Sequence, residues 1–262
     1  MEIDCNTEVD SLKDDASQMK RLILKSFISQ ICSGVPFYKC SLPLIAWEGI
    51  SFLEKLSCFF TFSPMLMTRE KEAPDFMSRF FAVIALYLSG WHAFPLDIKK
   101  PFQPIQGEVF RCSFVHSNFK VYYLAEQVQP SVTAFCVWSP QLKMFLEATL
   151  SLRTKYHINS VDTILDGTLI GTDVEHNETY IMSYPSISVG GIVWGKLHAS
   201  IIGEVKIHCP EKGYTAILSF EKGKHLSGEI QGPNSVKPLF QLKGNWNSIV
   251  YLEDCNEVCK QP

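Results

Sequence analysis

Between Met19 and Ile31 the apolar residues Leu24, Phe27, Ile28 and Ile31 recur at helical spacing beside Lys20, Arg21 and Lys25, and Gly34 follows, so an amphipathic helix is expected there. The helical period continues from Leu42 to Trp91. One run passes through Ile50, Leu53, Leu56 and Phe60; a stronger one passes through Met77, Phe80, Phe81, Ile84, Tyr87, Leu88 and Trp91, opened by Pro74-Asp75 and closed by Gly90. Near Pro101 the period changes to two. Leu146, Ala148, Leu150 and Leu152 alternate with Glu147, Thr149, Ser151 and Arg153, and similar alternation runs through 201–208 and 216–221. Turn signals such as Asp166-Gly167, Gly190-Gly191, Lys212-Gly213 and Pro233-Asn234 separate about ten such runs between Phe110 and Leu252, with no helical stretch among them. The pattern predicts an α+β fold in which an N-terminal helical subdomain packs on a large antiparallel meander or barrel. Its divisions are a flexible acidic start (1–18), the amphipathic helix (19–34), a helical subdomain (35–98), an antiparallel barrel (99–254) and a short tail (255–262). A sheet of that size that curls closed suggests an apolar ligand cavity.

Composition narrows the function classes. The chain has 262 residues, 46% hydrophobic and 19% charged, enough to bury a substantial core. Its formal charge of -3 supplies no global attraction for nucleic acid, and none is expected as a partner. The longest apolar run, Phe80 to Leu88, is nine residues, half of the roughly 18 needed to span a bilayer. Met1 to Ser17 carries six acidic residues against Lys13 alone, the reverse of a signal peptide, and the expected location is the cytosol. The nine cysteines lie scattered through apolar segments and read as free thiols; the close pair Cys255 and Cys259 has no further ligand at zinc spacing, so no metal is expected. G-x-S-x-G, P-loop, H-E-x-x-H and Rossmann glycine patterns are absent and the seven histidines fall singly, so neither catalysis nor a cofactor is expected. One segment stands out. Lys99-Lys100-Pro101-Phe102-Gln103-Pro104-Ile105-Gln106-Gly107-Glu108 sets two prolines, two cations and an amide at the junction of the two halves, a rigid frame suited to recognising an anion or headgroup.

These residues carry a resemblance. Lys100-Pro101-Phe102-Gln103-Pro104 with Gly107-Glu108 resembles the KPFNPxLGE segment of the oxysterol-binding protein family, and Glu126-Gln127-Val128 resembles the opening of its EQVSHHPP fingerprint. Ser41-Leu42-Pro43 with Ile50-Ser51-Phe52-Leu53-Glu54, Ile192 to Leu197 with Gly203-Glu204, Gly228-Glu229-Ile230, and Leu242 to Trp246 resemble further family landmarks in the same order. The resemblance implies an incomplete antiparallel barrel around an apolar tunnel, plugged by helices and closed by an amphipathic lid at 19–34. It implies a monomeric carrier of a sterol or other single lipid, in transient peripheral contact with membranes. Leu24, Phe27 and Ile28 would face the ligand from the lid, Trp91 would reach the sterol end, and Lys100, Gln103 and Glu108 would form the headgroup rim.

The sequence also departs from the family pattern. Between Glu126-Gln127-Val128 and Ala134-Phe135 stand Gln129, Pro130, Ser131, Val132 and Thr133, two residues fewer than in EQVSHHPPISAF, and the family's paired histidines are missing. Gln103 replaces the family's asparagine, and the sequence ends shortly after Trp246, ahead of the C-terminal portion that supplies further cations in the family. Exchange for phosphatidylinositol 4-phosphate is therefore expected to be weakened or lost. The alternative expectation is a degenerate, non-transferring interaction or regulatory domain of the same fold.

Overall fold

The computed structural model describes residues 18, 20–26, 29, 33, 41, 43–94, 99–235 and 237–255. Residues 20–26 form a helix, α1, whose buried residue is Ile23, with Leu24 half-buried; Phe27 and Ile28 lie outside the described residues. Ile50, which the periodicity assigns to a helix, lies instead in a strand, β1 (Trp47–Ser51), paired in parallel with β2 (Lys100–Phe102). The helix starts only at Ser51, where Ser-x-x-Glu supplies an N-terminal signal: α2 (Phe52–Ser57) is capped by the Ser51 hydroxyl, which accepts the Leu53 N–H at 3.4 Å. A 3₁₀ turn, Cys58–Phe60, leads to α3 (Ser63–Lys71) and then α4 (Phe76–Ala93). Asp75 caps α4 by accepting the Ser78 N–H at 3.0 Å, and these bonds hold its carboxyl below the usual range.

Gly90 does not end α4, which runs on to Ala93. It is the place where the Phe59 ring lies directly on the helix backbone; a Cβ there would stand 2.5 Å from ring carbons. The glycine thus answers to close packing rather than to termination.

Twelve strands form the main sheet: β3 (Val109–His116), β4 (Phe119–Gln129), β5 (Val132–Ser139), β6 (Met144–Tyr156), β7 (Ser160–Asp173), β8 (Glu178–Ser183), β9 (Ser186–Gly190), β10 (His198–Cys209), β11 (Tyr214–Phe220), β12 (His225–Gln231), β13 (Pro238–Asn245) and β14 (Val250–Asp254). The order runs from β14 through β13, β12, β11, β10, β8, β7, β6, β5 and β4 to β3, all antiparallel, with β9 bridging β7 and β10. It remains open between β3 and β14. Inward positions follow the predicted alternation: Leu146, Ala148 and Leu150 on β6, Ile201, Val205 and Ile207 on β10, Ala216, Leu218 and Phe220 on β11 are all buried.

The helices fill the inner face. Phe60 meets Tyr123 of β4 at 5.7 Å and its neighbour Phe59 at 5.2 Å; Phe59 meets Trp91 at 5.2 Å, and Trp91 meets Phe220 of β11 at 6.3 Å. Strands β4 and β11 are six places apart in the sheet order, yet a chain of four ring contacts of 5.2 to 6.3 Å links them through the helices. The sheet therefore curls around the helical layer. A buried ion pair fixes the other end of α4: Arg79 donates from Nε at 3.0 Å and Nη2 at 2.7 Å to the two carboxylate oxygens of Glu178 on β8, which also accepts from the Tyr180 hydroxyl at 2.7 Å.

Gly90→Ala tests the packing at α4. Alanine is the better helix former by about 1 kcal/mol, but the Cβ must displace Phe59, so the expected outcome is a net loss of about 1 to 3 kcal/mol in urea unfolding. An unchanged or raised midpoint contradicts it.

Candidate functional site

Two regions gather the chemistry. The first is an interior slot lined by Phe52 and Leu56 of α2, Phe59 and Phe60, Trp91 and Phe94 at the end of α4, and the sheet residues Phe135, Leu150, Leu165, Tyr184 and Ile187. Its wall is an edge-to-face aromatic array, with Phe59 and Trp91 at 84° and Trp91 and Phe94 at 64°. The free volume is about 20 Å³, little more than one water requires. The wide apolar tunnel implied by the family resemblance is thus not an open volume among the described residues, because these rings occupy it.

Two polar groups lie buried behind this apolar lining. Trp91, 2% exposed, leaves its indole N–H without a hydrogen-bond partner, and the buried Tyr184 hydroxyl is also unpartnered. Burial pushes the Tyr184 phenol far above its ordinary range, so it stays neutral. Each such orphan costs about 1 to 3 kcal/mol unless something bonds to it. Hydrocarbon enters this slot only where the rings give way. Trp91 lies in the wall of this slot. Leu24 is outside the wall.

The second region is the junction loop. Parallel pairing of β1 with β2 stacks Trp47 on Phe102 with centroids 5.5 Å apart, and the Lys100 ammonium lies 5.2 Å from the Trp47 ring centre. Partial desolvation lowers the Lys100 pKa. Glu108 is committed structurally: Oε1 accepts from the Ser51 hydroxyl at 2.5 Å and Oε2 from the Ile105 N–H at 3.2 Å. It clasps the loop onto the start of α2 and so has a different place from the headgroup ligand expected for it. Gly107 N–H donates to the Gln127 carbonyl and Gln127 N–H to the Glu108 carbonyl, which ties the loop to β4.

The tip of the β4–β5 hairpin completes the rim. Gln129 pairs with Val132, and Pro130-Ser131 makes a two-residue turn in which Ser131 takes φ 64°. Gln103 donates from Nε2 to the Ser131 hydroxyl at 3.3 Å, and Gln106 donates to the Val128 carbonyl at 3.2 Å. Gln127 points inward and is fully used, donating to the Gln129 carbonyl at 2.8 Å and accepting from Thr133 at 2.7 Å. Glu126 stays exposed on the outer face of β4. The structure thus brings Gln103, Glu108, Gln127, Val128 and Pro130 to one edge, with Lys100 at the near end of the same loop.

Comparison with known proteins decides the lineage. The family model described as oxysterol-binding protein matches residues 24–261. The chain belongs to the oxysterol-binding protein family. Among curated members, human oxysterol-binding protein-related protein 8 is 32% identical over 257 residues, 93% of this chain and 29% of that protein. Oxysterol-binding protein 10 of Dictyostelium discoideum is 34% identical over 86% of this chain and 60% of its own length. The chain spans less than two thirds of each of these relatives. Solved structures of the family show the same fold: the Osh1 ORD domain in complex with cholesterol superposes with a TM-score of 0.75 at 22% identity, covering 87% of this chain and 56% of that one. The Osh3 ORD in complex with PI(4)P from Saccharomyces cerevisiae gives 0.71 at 21% identity, covering 86% of this chain and 62% of that one.

Sequence reasoning missed Trp47, Ser51 and Tyr184. Only Ser51 left a signal, the Ser-x-x-Glu start of α2. Because its hydroxyl both caps α2 and holds Glu108, Ser51→Ala is expected to cost about 1 to 2 kcal/mol. Glu108→Ala should then cost less in the Ser51→Ala background than alone, because only its bond from the Ile105 N–H is left to lose. Additive losses in a double-mutant cycle contradict the clasp.

Proposed function

We propose that this chain carries a single, largely apolar lipid, a sterol or a molecule of similar build, in the interior slot, and that it meets membranes transiently and peripherally as a cytosolic monomer. The observation that carries the reading is the slot's wholly apolar, aromatic and aliphatic lining at the centre of the fold, with the unpartnered Trp91 N–H and Tyr184 hydroxyl buried behind it. A lipid that displaces the aromatic rings and buries about 300 Å² of hydrocarbon there gains roughly 7 kcal/mol of transfer free energy. Binding and release need no bond made or broken, so no enzymatic step is invoked. The family relationship and the cholesterol and PI(4)P complexes of the superposable domains support the ligand class.

The rim supports the second half of the reading, weakened or lost exchange for phosphatidylinositol 4-phosphate. The Pro130-Ser131 turn offers no imidazole, Glu108 is spent on Ser51 and Ile105, and the Lys100 ammonium rests over Trp47. A phosphate bound there would lack most of the charge-assisted bonds that make such sites strong.

A membrane-facing end is supported by a different set of residues. The stretches 20–26, 153–160 and 191–198 carry Lys20, Arg21, Lys25, Lys155 and Lys196, with Arg153 paired to Asp166 of β7 at 2.8 Å, in a chain of net charge -3. They converge: the Asn159 side chain accepts the Val193 and Trp194 N–H groups at 2.8 and 3.0 Å, and Lys20 donates to the Gly195 carbonyl. Trp194 is 59% exposed and Ile158 82% exposed on this face. Basic side chains around exposed apolar tips are what an anionic bilayer surface recognises. A second reading, a non-transferring interaction domain of the same fold, is favoured by the 20 Å³ slot volume.

Native mass spectrometry of the purified chain with lipid extraction separates the two. One bound sterol or phospholipid per chain is the expected outcome and identifies the cargo; a folded chain that arrives empty and takes up no added sterol retires the carrier. Transfer of phosphatidylinositol 4-phosphate between vesicles overturns the headgroup half alone. Trp194→Ala is expected to lower co-sedimentation with anionic vesicles by several-fold while leaving the thermal midpoint within about 2 °C, since an exposed side chain contributes little to folding. Unchanged sedimentation contradicts the membrane-facing assignment.

A further inference from the structure

A second polar cluster lies away from both regions, where the last turn of α3 meets the β7–β8 hairpin. Glu70 of α3 and Asp173 at the end of β7 are each 2% exposed, and His176 in the hairpin turn is partly exposed. One donor atom from each lies within 4.8 Å of the others. The turn makes this arrangement: Asp173 Oδ1 accepts the N–H groups of Glu175 and His176 at 2.9 and 3.2 Å, which folds the imidazole back until Nδ1 stands 2.5 Å from Asp173 Oδ2. Glu70 Oε1 is buried and has no hydrogen-bond partner.

The surrounding cations are already engaged. Arg79 gives its bidentate pair to Glu178, and Lys71 and Lys143 both go to Glu175. Two buried carboxylates therefore face each other with an imidazole beside them.

We propose that Glu70, Asp173 and His176 bind a divalent transition-metal ion of the zinc class. Two carboxylate oxygens and one imidazole nitrogen suit a first-row ion of borderline softness; calcium and magnesium prefer an all-oxygen shell of six or more ligands. Three protein ligands leave a position for water, and the partly exposed His176 side gives an entry path. The bound ion joins α3 to the β7–β8 hairpin and satisfies the stranded Glu70 oxygen. The expectation of no metal came from the cysteine spacing; this donor set contains no cysteine and comes together only in the fold.

The test uses the full chain, stripped with chelator and titrated with zinc chloride alone, read by native mass spectrometry and calorimetry. One zinc per chain is expected, with affinity at least ten-fold weaker in Glu70→Gln and in His176→Ala. Glu70→Gln keeps the shape of the side chain, so it serves if His176→Ala does not fold. Cobalt loading of the unaltered chain is expected to give visible d–d bands without the near-ultraviolet charge-transfer band of a thiolate ligand. Failure to take up zinc, uptake unaffected by Glu70→Gln, or a thiolate band overturns the proposal; in the first case the cluster holds a shared proton instead of a metal.

Discussion

The structure depends on holding one long helix inside a curled sheet whose two edge strands do not meet. A sheet open between β3 and β14 cannot keep its curvature by closure, so its inner face must be filled, and α4 is the piece that fills it. The Arg79–Glu178 pair anchors the first turn of α4 to β8, while Trp91 near its end packs between Phe59 and Phe220. Buried ion pairs add little net stability, but losing one partner strands a charge at a cost of about 3 to 5 kcal/mol. The pair therefore acts mainly as a specifier of where α4 sits. Position along the sheet then decides which rings line the slot.

The interior follows from that placement. With α4 seated, Phe59, Phe60, Trp91 and Phe94 fall together, and their edge-to-face contacts leave almost no free volume. Efficient apolar packing and satisfied polar groups compete here: the indole N–H and the tyrosine hydroxyl are buried for their rings, at the expense of their hydrogen bonds. At the rim the balance goes the other way. Nearly every polar group on the 100–108 loop and the β4–β5 tip is bonded to a neighbour, so that edge is rigid and offers few free donors.

Most of the sheet was legible in the sequence because a half-buried strand prints its period of two directly, as at Leu146, Ala148 and Leu150. α4 was legible for its length and its Asp75 cap, but its end was misplaced, since Gly90 serves a contact with Phe59 from thirty residues earlier and only tertiary packing reveals that. The β1–β2 pair left no pattern: β2 is three residues long, contains Pro101, and finds its partner some fifty residues away. For the site, Trp91 and the junction loop could be picked out by residue type and resemblance. That Glu108 faces Ser51 and that Trp91 lacks a partner depend on geometry, which spacing does not encode. The Glu70 cluster was invisible for the same reason, Glu70 standing about a hundred residues from Asp173 and His176 and each being unremarkable alone.

The two-residue turn at Pro130-Ser131 has a consequence for how this rim can vary. Side chains on a strand alternate between faces, and the odd residue in this hairpin is absorbed by an irregularity at Val128, between the pairs Gln127 with Thr133 and Gln129 with Val132. The tip here is two residues shorter than the family fingerprint, and Gln127 and Thr133 still face inward and bond to each other while Phe135 still enters the slot wall. The shortened tip thus alters the rim while the inward pair Gln127 and Thr133 and the Phe135 contact stand, so rim and interior are separable parts of one hairpin.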